Sequence, residues 1–262
     1  MPRRLSTAPG REPFPNGAPP RFASAWGIDG YGAYVAFTFQ EVETRLRWIP
    51  PGSFMMGAPE RERGRYDDEG PRRRVTIAEA FWLMETPVTQ GLWQAVMGDN
   101  PSRFKGPMRP VEHVSFQDAG RFIAILNGSI EGLHLELPSE ALWEYACRAG
   151  SKAARYDAID KIAWFDENSL KQTHDVAMKR PNAWGLYDLL GNVGEWCLDK
   201  EHRYTAAPQD GGAWLEPKAR NRVMRGGAWS YPERTVRAAF RFYASDSYRD
   251  DIVGFRCARL RA

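Results

Sequence analysis

Thiols, imidazoles and clustered carboxylates are the side chains with which this sequence could do chemistry. A nucleophilic or metal-binding cysteine acts as its thiolate and needs a cationic or metal neighbour to hold that charge. The chain has three cysteines, Cys147, Cys197 and Cys257, none near another in sequence. An odd, scattered set makes no disulfide framework or Cys-x-x-Cys site, and it predicts reduced core thiols in a cytoplasmic protein. The four histidines, His113, His134, His174 and His202, are equally dispersed. They form no His-Glu-x-x-His pattern and are expected as surface or hydrogen-bonded structural residues. The acid pairs Asp67-Asp68 and Asp250-Asp251 fall in polar stretches that favour solvated loops over acid/base work. Gly-x-Gly-x-x-Gly, P-loop and Gly-x-Ser-x-Gly patterns are absent. No residue is therefore predicted to be catalytic, and function is sought in binding.

The elements that would present a binding surface follow from the rest of the sequence. At 262 residues with 43% apolar content the chain can build a sizeable core. Its 24 Gly and 19 Pro, beside 33 aromatic residues, predict many short aromatic-anchored elements joined by turns. The formal charge of +3 is spread over interleaved signs, as in Glu60-Arg61-Glu62-Arg63, and argues against nucleic acid as partner. Residues 1–20 lack the apolar core of a secretory signal, and no apolar run is long enough to insert in a membrane.

Residues 1–24 are expected as an N-terminal arm, mobile or extended on the domain, and residues 25–262 as one domain. Alternating patterns over Tyr34–Phe39 and Val42–Ile49 predict a hairpin, with further strands at Phe54–Met56 and Val75–Ile77 around a charged loop. Three helices are predicted. The first is capped by Thr89 and ends at Gly98; the second opens at Ser115 with Asp118 completing a capping box and buries Phe122, Ile123 and Leu126; the third follows Ser139, with Glu140 in its dipole-favoured first turn. Later strands are expected at Arg222–Met224, Thr235–Phe242 and Gly254–Ala258, among irregular loops. The class is mixed α+β, loop-rich, with few helices.

A series of ordered motifs over residues 49 to 258 carries a family resemblance. They are Ile49-Pro50-Pro51-Gly52-Ser53-Phe54-Met55-Met56-Gly57, Pro87-Val88-Thr89-Gln90, Pro110-Val111-Glu112-His113-Val114-Ser115-Phe116, and Leu137-Pro138-Ser139-Glu140 through Trp143-Glu144-Tyr145-Ala146. Trp184-Gly185-Leu186-Tyr187-Asp188 then leads into Gly191-Asn192-Val193-Gly194-Glu195-Trp196, followed by Arg225-Gly226-Gly227-Ala228-Trp229 and Gly254-Phe255-Arg256. In this the sequence resembles the formylglycine-generating-enzyme (sulfatase-modifying factor) family, which implies a C-type-lectin-like fold whose C-terminal strands and loops form the ligand face.

The resemblance also implies where chemistry would sit. The family's oxidases place reactive cysteines just beyond the Gly-Gly segment, for copper and substrate thiol. Here Ser230, Tyr231 and Pro232 stand where the first thiol is expected, and no cysteine occurs between Cys197 and Cys257. The family's iron-dependent sulfoxide synthases use a histidine-rich site on an extra helical domain, and these four histidines do not supply one. What remains is similar to noncatalytic members, including variable proteins diversified by retroelements, whose variable segment also ends in Gly-Phe-Arg. The candidate ligand-binding residues, within a region about 225–258, are Ser230, Tyr231, Phe240, Phe242, Tyr243, Ser245, Ser247, Tyr248, Asp250, Asp251 and Ile252. Rigid aromatics with small polar groups suit recognition of a protein or other macromolecular ligand. Between Phe240 and Val253 there is no Lys, Gln, Glu, Met or Trp, the residues that adenine mutation of Asn codons cannot reach. Phe240 and Phe242, two apart, would alternatively point into the core. Arg237, Arg241, Arg249 and Arg256 are expected as struts for loop carbonyls. In relatives the Asn and Glu of the Gly-Asn-Val-x-Glu-Trp turn hold a structural Ca2+, which makes Asn192 and Glu195 candidate metal ligands; the alternative is a purely hydrogen-bonded turn. Gly194 departs from the family's usual Trp. The second functional reading is a divergent formylglycine-generating-type oxidoreductase acting on a protein or thiol substrate.

Overall fold

A computed structural model describes residues 12–14 and 17–260 of the chain. Strands β1 (Ala25–Asp29), β2 (Gly32–Phe39) and β3 (Val42–Ile49) form an antiparallel meander. The β2–β3 turn is the two-residue pair Gln40-Glu41, both at positive φ (43° and 69°), the backbone that matches the twist of a tight hairpin. With β6 (Phe81–Met84) and β11 (Ala258–Arg259) they complete a five-stranded antiparallel sheet in the order β1-β2-β3-β6-β11. Because side chains alternate across a strand, β6 sends Trp82 and Met84 into one core, and Phe81 and Leu83 into another. This sheet thus separates two apolar clusters, one built around Trp93, Phe122 and Phe255 and the other around Trp143, Phe165 and Leu142.

A second sheet runs β10-β7-β8-β9, with β7 at Gly194–Lys200, β8 at Asn221–Arg225, β9 at Arg241–Ser245 and β10 at Val253–Gly254. A separate ribbon pairs β4 (Gly52–Met56) with β5 (Arg73–Ile77). The predicted helices form where their caps place them. In α1 (Gln90–Met97) the Thr89 side chain accepts from Leu92 N–H and Gly98 ends the helix at φ 82°. In α2 (Phe116–Ser129) Ser115 and Asp118 make the reciprocal capping box; Phe122 and Leu126 are buried, whereas Ile123 is only half-buried. A short α4 (Ile159–Ile162) carries no clear signal in the sequence.

Helix α3 (Glu140–Arg148) is buried along its whole length, its charged residues included. Arg225 on β8 bonds Glu140 and Glu144, each at 2.5 Å, and Arg241 on β9 bonds both oxygens of Glu140 at 2.5 and 2.7 Å. Burial alone would raise the Glu140 pKa, yet the guanidinium groups of Arg241 and Arg225 hold it down at about 2. Two more arginines work as expected. Arg237 binds Glu62, Glu69 and the Gly64 carbonyl, and Arg256 binds Glu195 together with the Met84, Glu85 and Tyr187 carbonyls. Arg249 departs from the expectation: its side chain is 43% exposed and only its 2.6 Å bond to Asp118 ties it to the body.

Two expected strands are corrected: the one over Gly254–Ala258 is instead β10 and β11, which lie in different sheets. The strand predicted from Thr235 begins only at Arg241, because residues 233–235 form a 3₁₀ turn and Arg237 is drawn out to Glu62 and Glu69. The N-terminal arm, as far as it is described, lies on the domain: Phe14 and Phe22 are buried, and Phe14 packs edge-on against Trp26 at 4.8 Å. Residues 1–11 of that predicted arm are outside the described residues. Among the described residues no helix is long and apolar enough to cross a membrane.

Replacing Glu140 with Gln would leave Arg225 and Arg241 buried with diminished compensation, and should destabilise the fold by about 3–5 kcal/mol in denaturant titrations. The wild type should also lose stability as pH falls from 4.5 toward about 2, since the Glu140 pKa is lower in the folded chain than its ordinary 4.5. Guanidinium melts across that range should show the acid limb shrinking in Glu140→Gln; an unchanged limb would remove Glu140 as its source.

Candidate functional site

The C-terminal candidates are carried by β9 and by the loops on either side of it. Tyr231, in the loop after β8, meets Phe240 at 6.0 Å and Phe242 at 5.6 Å between ring centroids, and Phe240 stacks on Phe242 at 5.9 Å. Tyr66 joins from the loop between β4 and β5, 5.9 Å from Phe240. Phe240 is only 7% exposed, so it supports this cluster from beneath instead of contributing contact area. Tyr231 and Phe242 are half-buried, each with part of its ring outward. Burial pushes the Tyr231 phenol up to about 12, leaving it a neutral donor.

The next turn adds Ser245 and Ser247, both exposed with hydroxyls 3.4 Å apart, and Tyr248, whose hydroxyl donates to Asp250 at 3.0 Å. Asp250 also accepts Ile252 N–H, and its carbonyl accepts His113 N–H. Asp251 pairs with Arg103 at 2.5 Å, while its carbonyl accepts from Trp229 Nε1. Asp250, Asp251, Arg103, Arg249 and His113 surround a shallow hollow of about 440 Å³. Two acids and two arginines line it, so its charges balance. Ser230 and Ile252 are half-buried, and Ile252 packs on the first core.

Tyr243 parts from this group. Neighbouring residues of a strand face opposite sides, and Tyr243 lies on the Arg241 side of β9, its hydroxyl donating to Asp68 at 2.7 Å. It clamps the 66–69 loop to the edge of the sheet and does not share a face with Phe242.

Gly194 explains its own departure from the family pattern. A Cβ there would stand 2.5 Å from the Phe242 ring, so the missing side chain on β7 is what lets that ring lie down. The side chains of Asn192 and Glu195, the expected Ca2+ ligands, are engaged within the protein. Asn192, at φ 60°, accepts His174 N–H and donates to His174 O, both at 3.0 Å. Glu195 is held by Arg256 through both oxygens, at 2.7 and 2.8 Å, and accepts Trp143 Nε1 at 2.7 Å. A guanidinium already occupies the place a cation would take. The residues present therefore do not fit a Ca2+ site, and the turn is held by hydrogen bonds.

Two buried groups escaped the sequence reading. Glu140, Asp199 and His202 bring possible ligand atoms within 4.8 Å of one another, but Glu140 is fully engaged by Arg225 and Arg241, which argues against a metal there. Asp199 and His202 stand close in sequence, but Glu140 lies far upstream of both, so the trio has no spacing signal. Glu112 is fully buried, with Oε1 accepting Phe104 N–H and Oε2 lacking a partner among the described residues; burial pushes its pKa up to about 7. It lies within the Pro110–Phe116 motif but has no sequence neighbour that would single it out. All three cysteines are buried, and burial raises each thiol, Cys147 to about 12.

The model of the sulfatase-modifying factor enzyme 1-like domain matches residues 36–261. The chain belongs to this family. It is 30% identical over 213 residues to the formylglycine-generating enzyme of Thermomonospora curvata, covering 72% of this chain and 67% of that one. Among solved structures, PvdO from Pseudomonas aeruginosa is 31% identical with TM-score 0.78, covering 91% of this chain and 99% of that chain. Variable protein 1 of Treponema denticola is 28% identical with TM-score 0.76, covering 87% and 99% respectively. The fold is therefore the C-type-lectin-like fold of the formylglycine-generating-enzyme kind, as the motifs implied.

Gly194→Ala should crowd Phe242 and cost about 1–3 kcal/mol. Adding Phe242→Ala should cost less than the two single losses summed, because the clash is then gone. A double-mutant cycle in thermal or chemical melts checks this, and strict additivity would contradict the contact.

Proposed function

We propose that this protein is a noncatalytic binding protein whose C-terminal surface engages a protein or other macromolecule. The observation that carries the reading is the aromatic and polar surface of Tyr231, Phe242, Ser245, Ser247 and Tyr248, built where the family's oxidases are expected to hold a reactive thiol. Tyr and Phe held by packing offer contact area at small entropic cost, and two exposed serines offer adaptable hydrogen bonds. The raised thiol pKa values support the same reading, since a thiolate-based oxidase needs the opposite shift. The likeness to variable protein 1 is consistent with a surface that tolerates exchange of its side chains on a constant frame.

Affinity capture from the cells that make the protein tests this. Wild type should retain one or more partners that are lost, about tenfold or more, from Tyr231→Ala/Tyr248→Ala and from Ser245→Arg/Ser247→Arg. The serine pair is exposed, so its variant separates a blocked surface from a damaged fold. Equal retention by all three proteins would sink the proposal, as would copper-dependent oxygen uptake with a cysteine peptide that Cys257→Ser abolishes. Sequencing of flanking DNA addresses diversification: a near-copy of codons 228–256 differing only at adenines, beside a reverse-transcriptase gene, is the expected arrangement for a diversified surface.

A further inference from the structure

A second surface lies on the β4–β5 ribbon, away from every candidate named in the sequence. A cavity of about 470 Å³ opens along β4. Its apolar wall is Phe54, Tyr145 and Trp184, with Tyr145 set 5.3 Å from Phe54 and 5.0 Å from Trp184. Its cations are Arg72, Arg74 and Lys152, which are exposed and have no carboxylate partner among the described residues. Arg148 adds a fourth, already bound to Glu144. No Asp or Glu of the described residues lines this cavity. In a protein whose charges are otherwise interleaved, such one-sided lining marks the sign of what it would attract.

The backbone supplies a second, independent feature. Ser53 pairs with Thr76 and Met55 with Arg74. Thr76 N–H donates away from β4, to Gln209 O at 2.8 Å, so Ser53 and Thr76 are a non-hydrogen-bonded pair of the antiparallel ladder. By the same alternation so are Met55 and Arg74. The N–H and C=O groups of Ser53 and Met55 therefore point off the outer edge of β4 toward the cavity, and they have no partner among the described residues. The edge is bounded at one end by Tyr145, whose hydroxyl donates to Pro50 O, and at the other by Arg148, which donates to Gly57 O. Exposed edges are commonly guarded by cations against pairing with other chains. Here the guard also selects, because a strand carrying acids is the one it would admit.

We propose that this edge binds an extended acidic peptide segment of a partner by strand addition. Residue parity gives its pattern. Arg72 and Arg74 share the outward face of the ribbon with Ser53 and Met55, while Phe54 faces inward. The added strand would thus alternate acidic side chains toward the arginines with apolar or aromatic ones toward Phe54, Tyr145 and Trp184, while main-chain hydrogen bonds to Ser53 and Met55 give it register. This differs from the C-terminal surface in location, charge and mode of recognition.

Fluorescence anisotropy with a short fluorescein-labelled peptide alternating Glu and Phe tests the proposal directly. The probe should bind with an affinity that falls as salt rises, and about tenfold or more weaker to Arg72→Glu/Arg74→Glu, whose exposed positions leave the fold intact. Met55→Pro should weaken it too, since it removes an edge donor without removing a ladder hydrogen bond. A peptide of the same composition with its Glu and Phe in separate blocks, and one N-methylated at alternate amides, should both bind worse. Absence of binding, equal binding of either control peptide, or indifference to the charge reversal would overturn the inference. So would displacement by inorganic phosphate at concentrations matched to the peptide, which would make the cavity a small-anion site.

Discussion

The buried pairing of Glu140 and Glu144 with Arg225 and Arg241 is the constraint on which the second half of this molecule depends. Helix α3 is too short to hold its place by propensity and reaches the loop-rich half through charge. Four fully or nearly fully buried ionic groups would be prohibitive alone, and together they are tolerable because nearly every lone pair and donor is used. Their arrangement fixes geometry as well as energy. A guanidinium binds two oxygens in one plane, so Arg241 sets where β9 lies relative to the helix and Arg225 does the same for β8. Arg237 and Arg256 repeat the device for loops whose carbonyls have no ladder to join. A fold with this much irregular backbone needs donors that reach, and guanidinium supplies them.

The legible part of the sequence was the part governed by short-range rules. Thr89, Ser115 with Asp118, and Ser139 cap the helices from within three residues, and Gln40-Glu41 closes a hairpin whose strands alternate. The motifs over residues 49–258 then indicated the fold. What stayed hidden was set by partners distant in sequence. Glu140 looked like a dipole-favoured first-turn residue, and only the fold brings it to Arg225 and Arg241, 85 and 101 positions away. Alternation from Thr235 to Phe242 read as a strand, yet the pull of Glu62 and Glu69 on Arg237 outweighs it. Asn192 and Glu195 matched a calcium turn by type, but Arg256 claims the carboxylate. At Phe240 both readings held a part of the truth, since it is buried yet underlies the half-exposed rings.

The same charge network also fixes the frame that carries the C-terminal aromatic and polar surface. Along β9 the residues alternate in duty as well as in direction. Arg241 and Tyr243 face α3 and the 66–69 loop, where they are tied to Glu140 and Asp68; Phe242 and Ala244 face the other way, toward β7 and the first core. The frame is thus fixed from one side of the strand while contact area is offered from the other and from the turn at Ser245 and Ser247. Substitution at those two serines touches no buried charge and no core contact. Phe242 is the exception, because Gly194 was shaped around it: a larger residue on β7 would forbid the ring, and a smaller ring would leave a void over β7.

That coupling separates two classes of position that sequence reading places together. Ser245 and Ser247 keep their side-chain hydrogen bond within the turn, whereas Tyr248 bonds Asp250 and packs on the first core. Phe242, Phe240 and Tyr243 are bound to Gly194, Tyr66 and Asp68, so their replacement is a change of structure before it is a change of specificity. A surface suited to exchange therefore needs fewer free positions than its aromatic content implies. In the binding role proposed above, rigid rings beneath would hold the shape and small exposed groups above them would tune what is recognised.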